Sequence, residues 1–162
     1  MKTKKKETEA YLALVDIRSA ENVGAIFRTA DALGISTIYL VGYTPDPIDR
    51  FNRARKDVAK AALGAEKTVP WEHVKDTATL FKLLKKNRLQ GIAIEQDKRA
   101  VDYKKVTLEG PTCFLVGNEV TGLPKNILKK VYIIAEIPMQ GKKESLNVSV
   151  ATGIALARIL NL

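Results

Sequence analysis

Residues 11–41 read YLALVDIRSAENVGAIFRTADALGISTIYLV and decide the class of fold. Residues 11–16 are a short apolar run of strand length, and residues 36–41 are a second run rich in β-branched side chains. Between them, Asn22 is the predicted N-cap and Gly34 the predicted end of a helix whose apolar residues recur at positions 23, 26, 27, 30 and 33. A strand, a helix and a strand in this order form a βαβ unit, so the sequence predicts an α/β fold with a parallel sheet.

The rest of the chain continues the alternation of strands and helices. Further strands are predicted at residues 91–95, 112–116, 131–134 and 136–137, and residues 69–71 are predicted to be extended. Helices are predicted at residues 57–63, from Asp76 or Thr77 to residue 87, and over one or two turns from Pro124. No internal repeat or low-complexity linker divides the chain. Residues 11–162 are therefore predicted to form one domain, after a basic, disordered arm at residues 1–10.

The last predicted helix, residues 147–162, is apolar nearly all round and contains Arg158 as its only charged residue. A helix of this kind is normally buried on every side. In a chain of 162 residues, such burial indicates a subunit interface. We therefore expect a C2 homodimer that forms through this helix.

Composition narrows the classes of partner. The net charge of +9 and the pI near 9.6 favour a polyanion, nucleic acid first, although an inert basic surface explains the charge nearly as well. Cys113 and His73 are the only residues of their types, so no internal disulfide and no metal site is expected, and Cys113 is predicted to be a small core residue. With no apolar run of transmembrane length and no signal-type segment, we expect a cytoplasmic location and no membrane partner.

Three stretches contain polar residues suited to chemistry. In residues 22–30 (NVGAIFRTA), Arg28 can hold a phosphate bidentately or be a solvated helix arginine. Asn22 could equally serve as a helix cap and nothing more. In residues 117–122 (GNEVTG), Gly117 lets backbone approach a ligand, and Glu119 has no evident partner except water. Residues 137–151 (IPMQGKKESLNVSVA) pass from a strand end through a polar loop to a helix start, where simple capping explains one of three polar residues: Ser145, Asn147 and Ser149.

A basic run at residues 50–56 (RFNRARK) places four positive charges in seven residues. A solvated helix start and a loop that contacts phosphates explain it equally well. Elsewhere, the glycine spacing matches neither a dinucleotide fingerprint nor a P-loop, and no Ser-His-Asp arrangement or pair of carboxylates indicates hydrolytic chemistry.

Taken together, the three polar stretches resemble the motifs of the SpoU (TrmH) family of RNA 2′-O-methyltransferases, within the SPOUT class. They occur in the family's order and spacing, and the resemblance covers residues 12–160. It implies a parallel sheet with helices on both faces, a C-terminal trefoil knot through which the last helix is threaded, and a homodimer. It also implies S-adenosylmethionine as the cofactor and methylation of a ribose 2′-OH in tRNA or rRNA, with no DNA partner.

The resemblance implies roles for individual residues. Arg28 matches the catalytic arginine, and four residues match the other polar motif positions: Asn22, Glu119, Ser145 and Asn147. The cofactor is expected against Ile94, Glu95, Gly117, Ile137, Met139 and Leu146. RNA is expected to contact the basic arm and the basic run, through Lys2, Lys4, Lys5, Lys6, Arg50, Arg53, Arg55 and Lys56 across the dimer. An RNA-binding relative without catalysis is the alternative, whereas methylation of a base nitrogen is disfavoured by the third stretch.

Overall fold

The computed structural model describes residues 8–162, so Lys2, Lys4, Lys5 and Lys6 of the predicted arm lie outside the described residues. The strands are β1 (Ala10–Val15), β2 (Thr37–Val41), β3 (Trp71–Val74), β4 (Gln90–Ile94), β5 (Val101–Asp102), β6 (Thr112–Val116) and β7 (Ile133–Glu136). The α-helices are α1 (Ala20–Ala32), α2 (Lys56–Ala62), α3 (Ala65–Thr68), α4 (Thr77–Lys86), α5 (Lys125–Leu128) and α6 (Val148–Ile159). Tyr103–Lys105 forms a 3₁₀ turn.

The seven strands form one sheet in the order β3-β2-β1-β6-β4-β7-β5, and every pairing between neighbours is parallel. The α/β fold with a parallel sheet predicted from the first βαβ unit is therefore confirmed. Because all seven strands run the same way, their carboxyl ends lie along one edge of the sheet, where ligands bind in open α/β sheets.

Helices cover both faces of the sheet, as the sequence resemblance implied. Along β1, Leu12 and Leu14 pack in one core with residues of α1, α2 and α6, whereas Ala13 and Val15 pack in a second core with residues of α4 and α5. This alternation follows from the two-residue period of side chains in a strand. Cys113, on β6, is fully buried in the second core, which confirms its predicted place in the core.

The start of α1 corrects the predicted cap. Ser19, not Asn22, is the N-cap, and its hydroxyl oxygen accepts a 3.1 Å hydrogen bond from the Asn22 main-chain N–H. Serine and asparagine are equally good at this position, so local sequence could not separate them. The earlier start places Asn22 inside the first turn, where its side-chain amide is available for other contacts.

The sheet edges also differ from the prediction. The predicted strand pair at residues 131–137 is the single strand β7, which ends before Ile137. β5 was not predicted, because two residues are too few to show a pattern. β3 begins at Trp71 and extends beyond the predicted piece to Val74. The pattern missed this part of the strand because Glu72 and His73, exposed on an edge strand, interrupt the apolar run. Ala10, predicted to end the arm, is already the first residue of β1.

α1 is the helix against which other helices pack on its face of the sheet. It contacts α2 at Gly24, where an added Cβ would collide with the Val58 carbonyl oxygen and lie 2.8 Å from the Ala61 Cβ. It contacts α6 where Thr29 approaches Gly153. Within residues 8–162, no helix combines the length and the apolar character that a membrane span requires.

Candidate active site

A cavity of about 490 Å³ opens at the carboxyl edge of the sheet. Its walls come from the segments that follow β4, β6 and β7, together with the loop and first residues of α6. The volume falls in the range of roughly 300–1,000 Å³ that is typical of small-molecule sites. The parallel topology therefore brings distant parts of the chain to one concave site.

The six residues predicted to contact a cofactor all line this cavity. They are Ile94, Glu95, Gly117, Ile137, Met139 and Leu146. Val116, Val148 and Ala151 add further apolar surface. Among the described residues that line the cavity, Glu95 and Glu119 are the charged ones and none is Lys or Arg. A negatively charged cavity in a basic protein disfavours a phosphate-rich ligand and suits a cationic one.

The turn after β6 depends on two glycines. A Cβ on Gly117 would lie 2.5 Å from the Leu123 nitrogen and 2.6 Å from the Gly122 carbonyl carbon, and Gly122 has a φ of +67°. An L side chain is disfavoured at both places, because the first lacks room and the second needs a left-handed backbone. The sequence suggested that Gly117 allows a ligand to approach the backbone closely. The structure adds that it also allows the backbone of residues 122–123 to do so.

Two side chains after β4 hold the walls of the cavity together. The Glu95 carboxylate accepts hydrogen bonds from the main-chain N–H groups of Gln96, at 2.9 Å, and Leu123, at 3.0 Å. The Gln96 side-chain amide donates a 2.7 Å hydrogen bond to the Glu144 carbonyl oxygen. The β4 end is thus tied to the turn after β6 and to the loop before α6.

Glu119 has three hydrogen-bond partners where the sequence showed none. Its carboxylate accepts from the main-chain N–H groups of Arg18 and Ser19, both at 3.0 Å, and from the Asn22 side-chain amide at 3.1 Å. Partial burial by itself would raise the pKa of the Glu119 carboxyl, but these three donors lower the pKa below its ordinary value. Glu119 is therefore ionised near neutral pH and anchors the start of α1, where a negative charge is favourable.

Asn147 completes a chain of hydrogen bonds that joins the three polar stretches. Its amide nitrogen donates to the Asn22 side-chain oxygen at 3.1 Å, and Asn22 in turn donates to Glu119. The Asn147 side-chain oxygen also caps α6, accepting from the Ser149 main-chain N–H at 2.9 Å. Ser145 lines the cavity and makes no side-chain hydrogen bond among the described residues. The structure thus brings together four of the five predicted catalytic residues.

Arg28 is the fifth, and it lies apart from the cavity. It is exposed on α1, six residues or about 9 Å of helix axis beyond Asn22. It is not part of the cavity wall, and it forms no ion pair with any residue between 8 and 162. Within one protomer, α1 runs away from the carboxyl edge of the sheet, so Arg28 lies apart from the other four residues. Arg28 adjoins Thr29, which faces α6.

Asn118 is a site residue that sequence reasoning missed. It is 8% exposed, and its amide nitrogen donates to the Asp16 carbonyl oxygen at 2.9 Å and to the Tyr43 hydroxyl at 3.0 Å. Its side-chain oxygen accepts from the main-chain N–H groups of Val120 and Thr121. The position of an asparagine in a glycine-bounded turn was the available signal. Asn118 links the ends of β1, β2 and β6 beside the cavity.

The basic run is partly neutralised by its own neighbours. Arg53 pairs with Asp49 at 2.8 Å and Arg55 with Asp57 at 2.6 Å, whereas Arg50 and Lys56 form no ion pair within the described chain. The Arg55 pairing raises the pKa of that guanidinium, chiefly through its hydrogen bond to Asp57. These residues follow β2, so their loop begins at the edge of the sheet that holds the cavity.

No cluster of three or more His, Cys, Asp or Glu residues that could hold a metal ion occurs between residues 8 and 162. Burial raises the pKa of the Cys113 thiol, so this thiol is a poor nucleophile. The chemistry available at the cavity is therefore that of amides, hydroxyls, carboxylates and main-chain groups.

Comparison with known proteins identifies the family. The model of the SpoU rRNA Methylase family matches residues 9–157. Similar relatives are the 23S rRNA (guanosine-2′-O-)-methyltransferase RlmB of Pseudomonas aeruginosa, 34% identical over 92% of this chain and 57% of its own, and the tRNA (guanosine(18)-2′-O)-methyltransferase of Escherichia coli K12, 32% identical over 94% of this chain and 63% of its own.

A solved structure agrees. The AdoMet-bound rRNA methyltransferase from Sinorhizobium meliloti superposes with a TM-score of 0.87 at 33% identity, over 96% of this chain and 57% of that one. The chain thus spans about three fifths of the length of these relatives. Since the family model covers most of the chain and the fold is shared, this protein belongs to the SpoU methylase family.

Proposed function

We propose that this protein transfers a methyl group from S-adenosylmethionine to a ribose 2′-OH in structured RNA, either tRNA or rRNA. The observation that carries the proposal is that two of the three polar stretches line one cavity and that Asn22, from the first stretch, is tied to both of them by hydrogen bonds to Glu119 and Asn147. The named activities of the relatives, which are 2′-O-methylations of guanosine in rRNA and tRNA, support it.

The cavity suits the proposed cofactor in shape and charge. Ile94, Ile137 and Leu146 offer apolar surface for a planar adenine. The main-chain N–H groups of Met139 and Leu146 make no hydrogen bond among residues 8–162, so they are free to pair with the polar edge of the ring. The lining carboxylates Glu95 and Glu119 favour the positively charged sulfonium.

When bound, S-adenosylmethionine supplies a methyl group on a positively charged sulfur that a nucleophilic oxygen can attack. The protein's task is to hold a ribose 2′-OH in line with that methyl and to make a weak nucleophile reactive, and orientation of this kind contributes several kcal/mol. Arginine is always charged in proteins, so it is a poor base. We assign Arg28 to binding the phosphate next to the target ribose and stabilising the negative charge that develops on the 2′ oxygen, whose proton passes to solvent while the cofactor leaves as a neutral thioether.

The remaining polar residues receive supporting roles. Ionised Glu119 is saturated by N–H donors, so it is a positioning residue that holds α1 and Asn22 in place. Asn147 fixes the start of α6 against Asn22. Ser145, with its free hydroxyl at the cavity wall, is the residue we assign to contact with cofactor or RNA.

We also propose a homodimer through α6. Val150 and Ile154 on this helix are 47% and 40% exposed, and Leu146 before it is 38% exposed, so an apolar surface of the protomer is left uncovered. Thr29, which adjoins Arg28, packs against Gly153 of α6, so we expect Arg28 beside the boundary of such a dimer. We therefore propose that Arg28 acts at the partner's cavity.

We also propose three finer features that the family resemblance implies. They are threading of the last helix into a trefoil knot, one domain at residues 11–162 with the basic arm as an RNA contact, and a cytoplasmic location. The hydrogen bond from the Gln96 side chain to the Glu144 carbonyl oxygen supports the threading, because it ties the loop before α6 to the segment after β4. The rival function, RNA binding without catalysis, has no specific observation in its favour.

Labelled S-adenosylmethionine tests the function. We would incubate the protein with separated tRNA and rRNA from cells that lack it, and then digest the RNA to nucleosides. The proposal expects label in a 2′-O-methyl nucleoside of one RNA class. Label in a base, or tight RNA binding without transfer of label, would overturn it.

A further inference from the structure

Phe51 is a large aromatic side chain exposed to solvent in the loop between β2 and α2. It is 62% exposed, although burying a phenylalanine is strongly favourable. The residues that adjoin it in sequence are Arg50 and Asn52, and Asn52 has a left-handed backbone with a φ of +58°. Nothing in the proposed methyl transfer accounts for this exposure.

The loop presents Phe51 on a well-defined frame. One oxygen of Asp49 accepts from the main-chain N–H groups of Phe51, at 2.8 Å, and Arg53, at 3.0 Å, and its other oxygen accepts from Arg53 Nε at 2.8 Å. The Asp49 main-chain N–H also donates to the Arg53 carbonyl oxygen at 2.8 Å. The aromatic ring is therefore held outward by a closed turn.

Two guanidinium groups accompany the ring. The Cζ atom of Arg50 lies 4.8 Å and that of Arg53 5.0 Å from the centre of the Phe51 ring, within cation–π range. Because Asp49 already compensates the charge of Arg53, the flat face of this guanidinium can stack on a base, but little of its charge is left for a phosphate. Arg50 has no ion-pair partner among the described residues and keeps its charge for a phosphate.

The loop lies on the side of the molecule that holds the cavity. It continues from Tyr43, which follows β2 and whose hydroxyl accepts from Asn118. Asn118 itself lines the cavity. An RNA that presents a ribose to the mouth of the cavity therefore lies at the edge of the sheet from which this loop starts.

We propose that Arg50, Phe51 and Arg53 form a stacking platform for an unpaired base of the RNA. The proposal rests on the proposed function and deepens it, because it specifies a single-stranded element in the substrate. Unpaired bases stack on aromatic rings and on arginine planes, whereas the bases of a duplex are not free to do so. The basic run is then a mixed site, in which the ring takes a base and Arg50 a neighbouring phosphate.

The experiment compares the parent protein with Phe51→Ala, Phe51→Tyr and Arg50→Ala. The probes are a short single-stranded RNA that contains 2-aminopurine and a duplex RNA of the same length. Phe51→Ala should weaken binding of the single strand roughly ten-fold and abolish the quenching of 2-aminopurine, with the duplex affinity and the salt dependence unchanged. Phe51→Tyr should keep both properties, and Arg50→Ala should reduce the slope of log affinity against log salt by about 1.

Unchanged single-strand affinity and quenching in a folded Phe51→Ala protein would overturn the platform, as would an equal loss of duplex binding. A change in oligomeric state in that variant would assign Phe51 to a protein contact instead. Methyl transfer by the parent is measured in parallel. If the parent transfers methyl groups but Phe51→Ala changes neither binding nor quenching, the platform is rejected and the proposed function stands. If Phe51→Ala loses stacking but the parent transfers no methyl group, the proposed function is rejected and the platform stands.

Discussion

Glu119 shows how much of this site depends on a single side chain. Its carboxylate bridges the turn after β6 to the first turn of α1, across 101 positions of sequence from Arg18. It fixes Asn22, through which Asn147 is held. Because the carboxylate is occupied by donors and ionised, we expect it to affect the proposed methyl transfer only through the geometry of other residues.

Glu119→Gln should lower the free energy of unfolding at neutral pH by about 1 kcal/mol, the usual contribution of a helix-capping acceptor. An amide places a donor where one of the two main-chain N–H groups needs an acceptor. The folded-state pKa of Glu119 is lowered, so its stabilisation is present above the ordinary pKa and is lost as pH falls through the folded-state pKa. Chemical unfolding of both proteins across acidic pH should show the difference shrinking, and a difference that grows would contradict the assignment.

Arg28→Ala should abolish methyl transfer while calorimetry shows unchanged S-adenosylmethionine affinity, because Arg28 is assigned to the RNA phosphate and the reacting oxygen and is absent from the cavity lining of its own protomer. Lys82→Ala is the matched control, since it also removes an exposed positive charge from a helix, here α4 on the opposite face of the sheet. Loss of cofactor affinity in the Arg28 variant would count against its role at the reacting oxygen.

At the scale of elements, α1 shows what a sequence pattern can and cannot reveal. Its apolar spacing predicted the helix and its buried face. The same pattern could not choose between Ser19 and Asn22 as the cap, and it could not show that Glu119 reaches the helix from far along the chain. Local patterns report the period of a helix or strand, whereas hydrogen bonds between distant segments depend on the finished topology.

Helix packing provides a matched pair of predictions. Gly24→Ala should destabilise the protein by about 1–3 kcal/mol, because the new methyl meets backbone and side-chain atoms of α2. Gly153→Ala, in α6, should stabilise it by up to about 1 kcal/mol, because its new methyl meets only the Thr29 side chain at 3.7 Å and alanine favours a helix. Denaturant titration measures both, and equal effects of the same sign would contradict the packing account.

In the whole molecule, the parallel sheet brings segments that are far apart in the sequence to one edge. The strand pattern predicted this topology, and the family resemblance identified all six predicted cofactor residues that the structure places at one cavity. β5 and the links through Asn118 were not predictable, because they leave no periodic signal. The neutralisation of Arg53 and Arg55 by nearby aspartates was also missed, although both partners lie within a few residues.

Two matched variants test the proposed dimer. Ile154→Asp should convert the proposed dimer to a monomer in sedimentation velocity, because it places a charge in the apolar surface of α6. Leu63→Asp, at a residue 66% exposed after α2, should leave the dimer intact. A monomeric parent, or a dimeric Ile154 variant, would remove α6 as the interface.

The position of the transferred methyl group on the RNA distinguishes ribose methylation from base methylation. Alkaline cleavage of RNA needs a free 2′-OH, so a 2′-O-methyl group protects one phosphodiester bond. After the RNA class that accepts label has been incubated with protein and S-adenosylmethionine, we expect a single missing band in the alkaline ladder, and Arg28→Ala should restore that band. A complete ladder from RNA that has nevertheless gained a methyl group would place the methyl on a base and rule out ribose methylation.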